Sequence, residues 1–138
     1  MVEMAVTILL LGILFAIGIP TFRSVSQTYA LKSATENMAA RIRLYRDRAI
    51  TTGRIQHFHF GAAPTYGWDY LVYYSHSGDS ITGAWRLPPG ITFSGGTMSW
   101  TDMTPNGRSL VSGLLVLRDP RGNRDTVSVQ LSGLVLTK

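Results

Sequence analysis

Nineteen consecutive positions, 4–22, carry no charge, and a single carboxylate, Glu3, stands at their N-terminal edge. Wound as a helix at 1.5 Å per residue, the run is about 28 Å long, close to the thickness of a bilayer's hydrocarbon core. A segment of this kind has two fates: it anchors a tethered domain in lipid, or it packs against the same segment of other chains. The layout is not that of a cleavable secretory signal, which places a basic region before its apolar stretch and small residues after it.

From Arg23 onward the apolar residues become periodic. Leu31, Ala34, Met38, Ile42, Tyr45 and Ala49 recur at spacings of three and four, the signature of one helical stripe. Neither proline nor glycine interrupts 21–52, and Gly53 is placed to close the helix in a left-handed conformation. The pattern predicts one helix of about 50 residues, 1–22 projecting as an apolar segment and 23–53 serving as an amphipathic stem. Gly12, Gly18 and Pro20 are its weak points, and a kink or local melting is expected near the proline, which costs a helix about 3 kcal/mol.

Twelve of the 14 glycines and five of the six prolines lie beyond residue 52. Their crowding predicts short strands and tight turns, giving a β-rich head over 54–138. Seven candidate strands are 54–60, 68–75, 84–87, 91–94, 109–118, 125–131 and 134–137. The expected fold class is α+β: a long N-terminal helix packed on an antiparallel β-sheet or β-sandwich. The absence of cysteine removes disulfides and thiolate metal sites from consideration. The net charge of +5 is spread, with +3 in residues 1–52 and +2 in 53–138, so the head's field is weak support for binding nucleic acid or anionic lipid.

These features together resemble the type IV pilin-like superfamily. Val2-Glu3-Met4, the uncharged run, Gly12 within it and Pro20 near its end are similar to the mature N-terminus of a pilin or a type II secretion pseudopilin. By this resemblance Met1 takes the third mature position, so the chain either lacks a leader and two residues ahead of it or is renumbered. In the C-terminal half, three pieces are similar to the GspH/FimT group of minor pilins and pseudopilins. They are Ile91-Thr92-Phe93, the turn Thr104-Pro105-Asn106-Gly107-Arg108-Ser109, and Gly113-Leu114-Leu115-Val116-Leu117-Arg118-Asp119. The closing piece follows Ser132-Gly133. The resemblance implies a non-enzymatic subunit of a type IV pilus or secretion pseudopilus. It also implies an inner-membrane location with the head in the periplasm before assembly, N-terminal methylation, export by a dedicated machine, and a filament of like or mixed pilins. No cofactor is expected.

Assembly is assigned to Glu3, Leu9, Leu10, Gly12, Ile13, Leu14, Phe15, Ile17 and Pro20. The resemblance implies that Glu3 pairs with the N-terminal amine of a neighbouring subunit; otherwise it is a carboxylate solvated at the membrane surface. Arg41, Arg43, Arg46 and Arg48 read as cations favoured by the helix dipole, or with Arg118, Arg121 and Arg124 as a nucleic-acid surface. FimT-like proteins implicated in DNA uptake end in Gly-Arg-x-Arg, whereas this chain has Gly133-Leu134-Val135-Leu136. A DNA-binding minor pilin is therefore the lesser alternative, and a monomeric membrane-tethered β-domain is another.

His57 and His59 alternate with Phe58 and Phe60, so they share one strand face. Two imidazoles can share a metal, but no third ligand is evident and His76 is unplaced, so no metal site is assigned. Asp69 and Asp79 lack a paired acid, and no catalytic constellation emerges. The aromatic stretch Tyr66, Trp68, Tyr70, Tyr73, Tyr74 and Trp85 reads as strand packing or as a stacking surface, with Tyr66, Trp68 and Tyr70 on one face.

Overall fold

The uncharged run and the periodic stripe form one helix. A computed structural model describes residues 2–61, 67–74 and 81–138, without the side chains of 17–24. Helix α1 spans Val2–Thr52, and its backbone stays helical through Gly12, Gly18 and Pro20 in place of the expected local melting. Continuing past a proline forfeits one hydrogen bond, whereas ending the helix there would free several backbone groups at each new terminus. All six residues of the sequence stripe, Leu31 to Ala49, are buried, joined by Ala39 and Thr35. The Thr35 hydroxyl is satisfied by donating to the Leu31 carbonyl at 3.0 Å. Gly53 closes the helix with φ +64°, the left-handed cap that glycine adopts without a Cβ penalty.

Among the described residues eight strands follow: β1 Gln56–Phe60, β2 Tyr70–Tyr74, β3 Ile81–Trp85, β4 Thr92–Phe93, β5 Trp100–Met103, β6 Gly113–Arg118, β7 Arg124–Val129 and β8 Val135–Thr137. They make two four-stranded sheets ordered β3-β2-β1-β5 and β4-β6-β7-β8, and every strand pairing is antiparallel. Strand β5 is absent from the sequence reading. Strand β3 begins at Ile81, three residues ahead of the expected strand 84–87, and regular pairing on β6 covers only the second half of 109–118. Trp68 precedes β2 and is exposed, so it does not share a strand face with Tyr70, which is buried. Tyr66, His76 and Asp79 lie outside the described residues.

One core joins the helix stripe to both sheets. Phe58, Phe60, Val72 and Met103 come from the first sheet, and Leu115, Leu117, Val127, Val129 and Val135 from the second. Tyr70 and Trp85 stack at 5.3 Å within this body, and Tyr45 meets the Trp85 ring edge-on at 5.7 Å. These aromatics therefore pack the helix against the sheet.

Gln56 breaks the apolar logic. It is fully buried on the inward face of β1, and both amide atoms lack a hydrogen-bond partner among the described residues. A buried polar group left without a partner costs about 1–3 kcal/mol. Gln56→Met is accordingly expected to raise the unfolding midpoint by several degrees in a thermal melt, and an unchanged or lower midpoint contradicts this reading.

The β6–β7 turn is organised by Asp119. Its carboxylate accepts the backbone N–H of Arg121 at 2.9 Å, that of Asn123 at 2.8 Å, and Asn123 Nδ2 at 2.8 Å. Burial disfavours the charged form, but the hydrogen bonds from Asn123 and from the turn's backbone outweigh it and hold the carboxyl below its usual range. With the folded value below the unfolded one, the stabilisation is complete above the unfolded value and is lost as pH falls through the folded one. Asp119→Asn should lower stability at neutral pH and flatten its decline in acid. Melting curves at stepped pH check this, and parallel profiles for the two proteins contradict it.

Candidate assembly interface

Among the described residues, positions 2–16 of α1 are all exposed. From Val2, 78% exposed, to Leu11, 47% exposed, its large apolar side chains face solvent. Leu9, Leu10, Ile13, Leu14 and Phe15 of the predicted assembly set are all exposed, and no heavy atom lies within 4 Å of where a Gly12 Cβ would stand. Ile17 and Pro20 fall where side chains are not described. A helix that is apolar on every side belongs in lipid or in a bundle, and burying each leucine or isoleucine is worth about 1.5–3 kcal/mol. Among the described residues no helix is long and apolar enough to cross a membrane; the uncharged run of the sequence continues into 17–22.

Glu3 is exposed in the first turn, where the helix dipole favours an acid. Its backbone carbonyl accepts the Thr7 hydroxyl at 2.7 Å.

The stem arginines do something the sequence reading did not foresee. The last turn of α1 holds no basic residue. Arg43 Nη2 donates to the Val135 carbonyl of β8 at 2.8 Å, and Arg46 Nε donates to the Gly107 carbonyl at 2.8 Å. Arg41 lies 4.5 Å over the Trp85 ring, and Arg48 lies 5.7 Å from the Tyr45 ring. The contacts of Arg41, Arg43 and Arg46 tie the stem to the head, and that of Arg48 stays within the stem. Arg118 and Arg124 pair across the β6–β7 hairpin, with Arg121 in its turn. The structure thus divides the seven arginines between the stem and one hairpin. Leu134 and Leu136 are about half exposed.

The two turns singled out in the sequence meet at Arg46. In the first, Gly107 N–H bonds to the Thr104 carbonyl at 2.9 Å and Thr104 N–H to Arg108 at 2.9 Å. In the second, Gly133 N–H bonds to Gln130 at 2.8 Å, and Ser109 N–H reaches Leu131 at 3.2 Å. A Cβ on Gly133 would overlap the Gly107 carbonyl oxygen and stand 2.9 Å from Arg46 Nε. The motif is therefore a latch between helix, turn and closing strand.

No protein-family model matches the sequence, and no curated protein does. Solved structures do. The type IV minor pilin FimU of Pseudomonas aeruginosa superimposes with a TM-score of 0.63 at 17% identity, covering 83% of this chain and 92% of that one. A second crystal form of FimU gives 0.59 at 16%, covering 78% and 92%. The minor pseudopilin EpsH of the type 2 secretion system of Vibrio cholerae gives 0.62 at 12%, covering 78% and 95%. The chain has the type IV pilin-like fold.

Proposed function

We propose that the chain is a structural pilin-like subunit that passes from the inner membrane, head in the periplasm, into a type IV pilus or a type II secretion pseudopilus. The observation that carries this is the exposed apolar half of α1, continuous with a stem latched to the head. Apolar surface of that extent must be covered, and lipid first and sister helices later would both cover it. Glu3 at its tip would set the register by pairing with a neighbour's terminal amine, because a carboxylate left unpaired in an apolar bundle costs several kcal/mol. FimU and EpsH, which share the fold, are subunits of the two systems named.

The nucleic-acid reading gains no such support, since Arg43 and Arg46 are spent on head carbonyls and the closing strand offers leucines. Electron microscopy of sheared surface fractions tests the proposal. Wild type is expected to yield filaments containing the chain, and Glu3→Ala to lose them while its protein stays in the membrane. Should neither strain yield filaments and both proteins remain membrane-bound, the tethered domain replaces the subunit.

A further inference from the structure

The outward face of the β3-β2-β1-β5 sheet carries a constellation that helix packing does not use. His57 pairs with Tyr73 of β2 and Asp102 of β5, and His59 pairs with Trp100 of β5. These five side chains line one open pocket. Asp102 is 8% exposed and its carboxylate contacts His57 Nδ1. The His57 ring stacks on Trp100 with centroids 5.6 Å apart and planes 16° from parallel, and tilts against Tyr73 at 4.6 Å. His59 Nδ1 lies 2.9 Å from the Ser99 carbonyl, which orients that ring as well.

Ring faces beside a shielded carboxylate make a cation site. Among the described residues Asp102 meets His57 through Oδ1 alone, which leaves its second carboxylate oxygen for a guest. The other described carboxylates of the head are spent on backbone N–H groups: Asp69 on Leu87, Asp119 on Arg121 and Asn123, Asp125 on Thr126. Burial, followed by the Asp102 charge, pushes the Tyr73 hydroxyl above its ordinary range, so the pocket resists a further anion. Guanidinium suits it best among side-chain cations, being planar, weakly hydrated, able to stack on aromatic faces and forked to meet a carboxylate.

Charge complementarity points to the source. The four strands of this sheet contain no lysine or arginine, whereas the β6–β7 hairpin of the other sheet presents exposed Arg118 and Arg124. A pocket and a knob at different places on one molecule make a heterologous contact, which repeats into an open helical array. We propose that the His57–Tyr73–Trp100–Asp102 pocket receives a hairpin arginine, Arg118 or Arg124, from a second copy of the chain. It stands apart from the helix reading, and an intact arginine response without helix-to-helix contacts would retain it.

The test is an NMR titration of the full chain in detergent micelles with N-acetyl-arginine amide. Saturable shifts are expected at the Trp100 indole N–H and the His57 ring, smaller with N-acetyl-lysine amide, and weakened at least about tenfold in Asp102→Asn. That substitution keeps the shape and the acceptor for His57 while removing the charge; Trp100→Ala, at an exposed position, gives a second reading. No selective shift, or shifts unchanged in both variants, overturns the pocket. A photo-crosslinking residue in place of His59, in cells making the full chain, identifies the source. Adducts between copies should map to 118–124 and vanish in Arg118→Gln/Arg124→Gln; adducts absent or elsewhere overturn the second-copy assignment.

Discussion

Gly133→Ala is expected to destabilise the head by more than about 4 kcal/mol, enough to leave much of the protein unfolded at physiological temperature. Two costs coincide. Gly133 has φ +78°, where an L side chain pays about 1–2 kcal/mol. Its new Cβ would also overlap the Gly107 carbonyl, a backbone group that can move only by breaking the 2.8 Å bond from Arg46. Losing that bond leaves a carbonyl and a partly buried guanidinium to be resatisfied. Gly96→Ala separates the two costs, because Gly96 has φ +87° with no heavy atom within 4 Å of the new Cβ. It should lose only the conformational part. Urea denaturation of both variants gives the comparison, and similar losses for the two would remove the latch from the account.

Phe58→Ala should cost about 3–5 kcal/mol, the range for emptying a buried aromatic position. Phe58 is fully buried on β1 and meets Tyr45 of the helix edge-on at 5.7 Å and Phe60 in a stack at 5.7 Å. The cavity would open where stem and first sheet join, so neither could collapse into it without moving the other. Phe58→Leu keeps most of the volume and should lose less than half as much. A loss below about 2 kcal/mol for the alanine variant in chemical denaturation would mean the helix and sheet are not packed as described.

The stem was legible because its physics is local. A stripe at spacings of three and four can bury only one face, and Leu31, Ala34, Met38, Ile42, Tyr45 and Ala49 are buried. Gly53 as the cap was equally readable. Strand β5 was not, because Trp100-Thr101-Asp102-Met103 reverses the usual alternation. Trp100 faces outward, and Thr101 is buried with its hydroxyl bonded to Ser109 Oγ at 2.6 Å and the Val111 carbonyl at 2.9 Å. Strand β3 hid behind Gly83, which reads as a turn residue. In fact the Trp85 ring and the Tyr45 hydroxyl fill the space a Cβ would need.

The candidate sites divide in the same way. Exposure of Leu9, Leu10, Ile13, Leu14 and Phe15 follows from a run too apolar and too long for the head to cover. What Arg43 and Arg46 do was not readable, because their acceptors lie 92 and 61 residues away. The Asp102–His57 contact spans 45 residues, and the sequence reading considered Asp69 and Asp79 without reaching it. Side chains that act through distant backbone leave no periodic signal.

Disulfide trapping between helices tests the central claim most directly, since the chain has no cysteine to confuse it. With single cysteines at Leu10 and at Leu14, in cells that assemble the chain, mild oxidation should join copies into covalent dimers, and Glu3→Ala should abolish them. If both cysteines stay monomeric in the assembling cells, the apolar half of α1 does not trade lipid for sister helices, and the subunit reading fails.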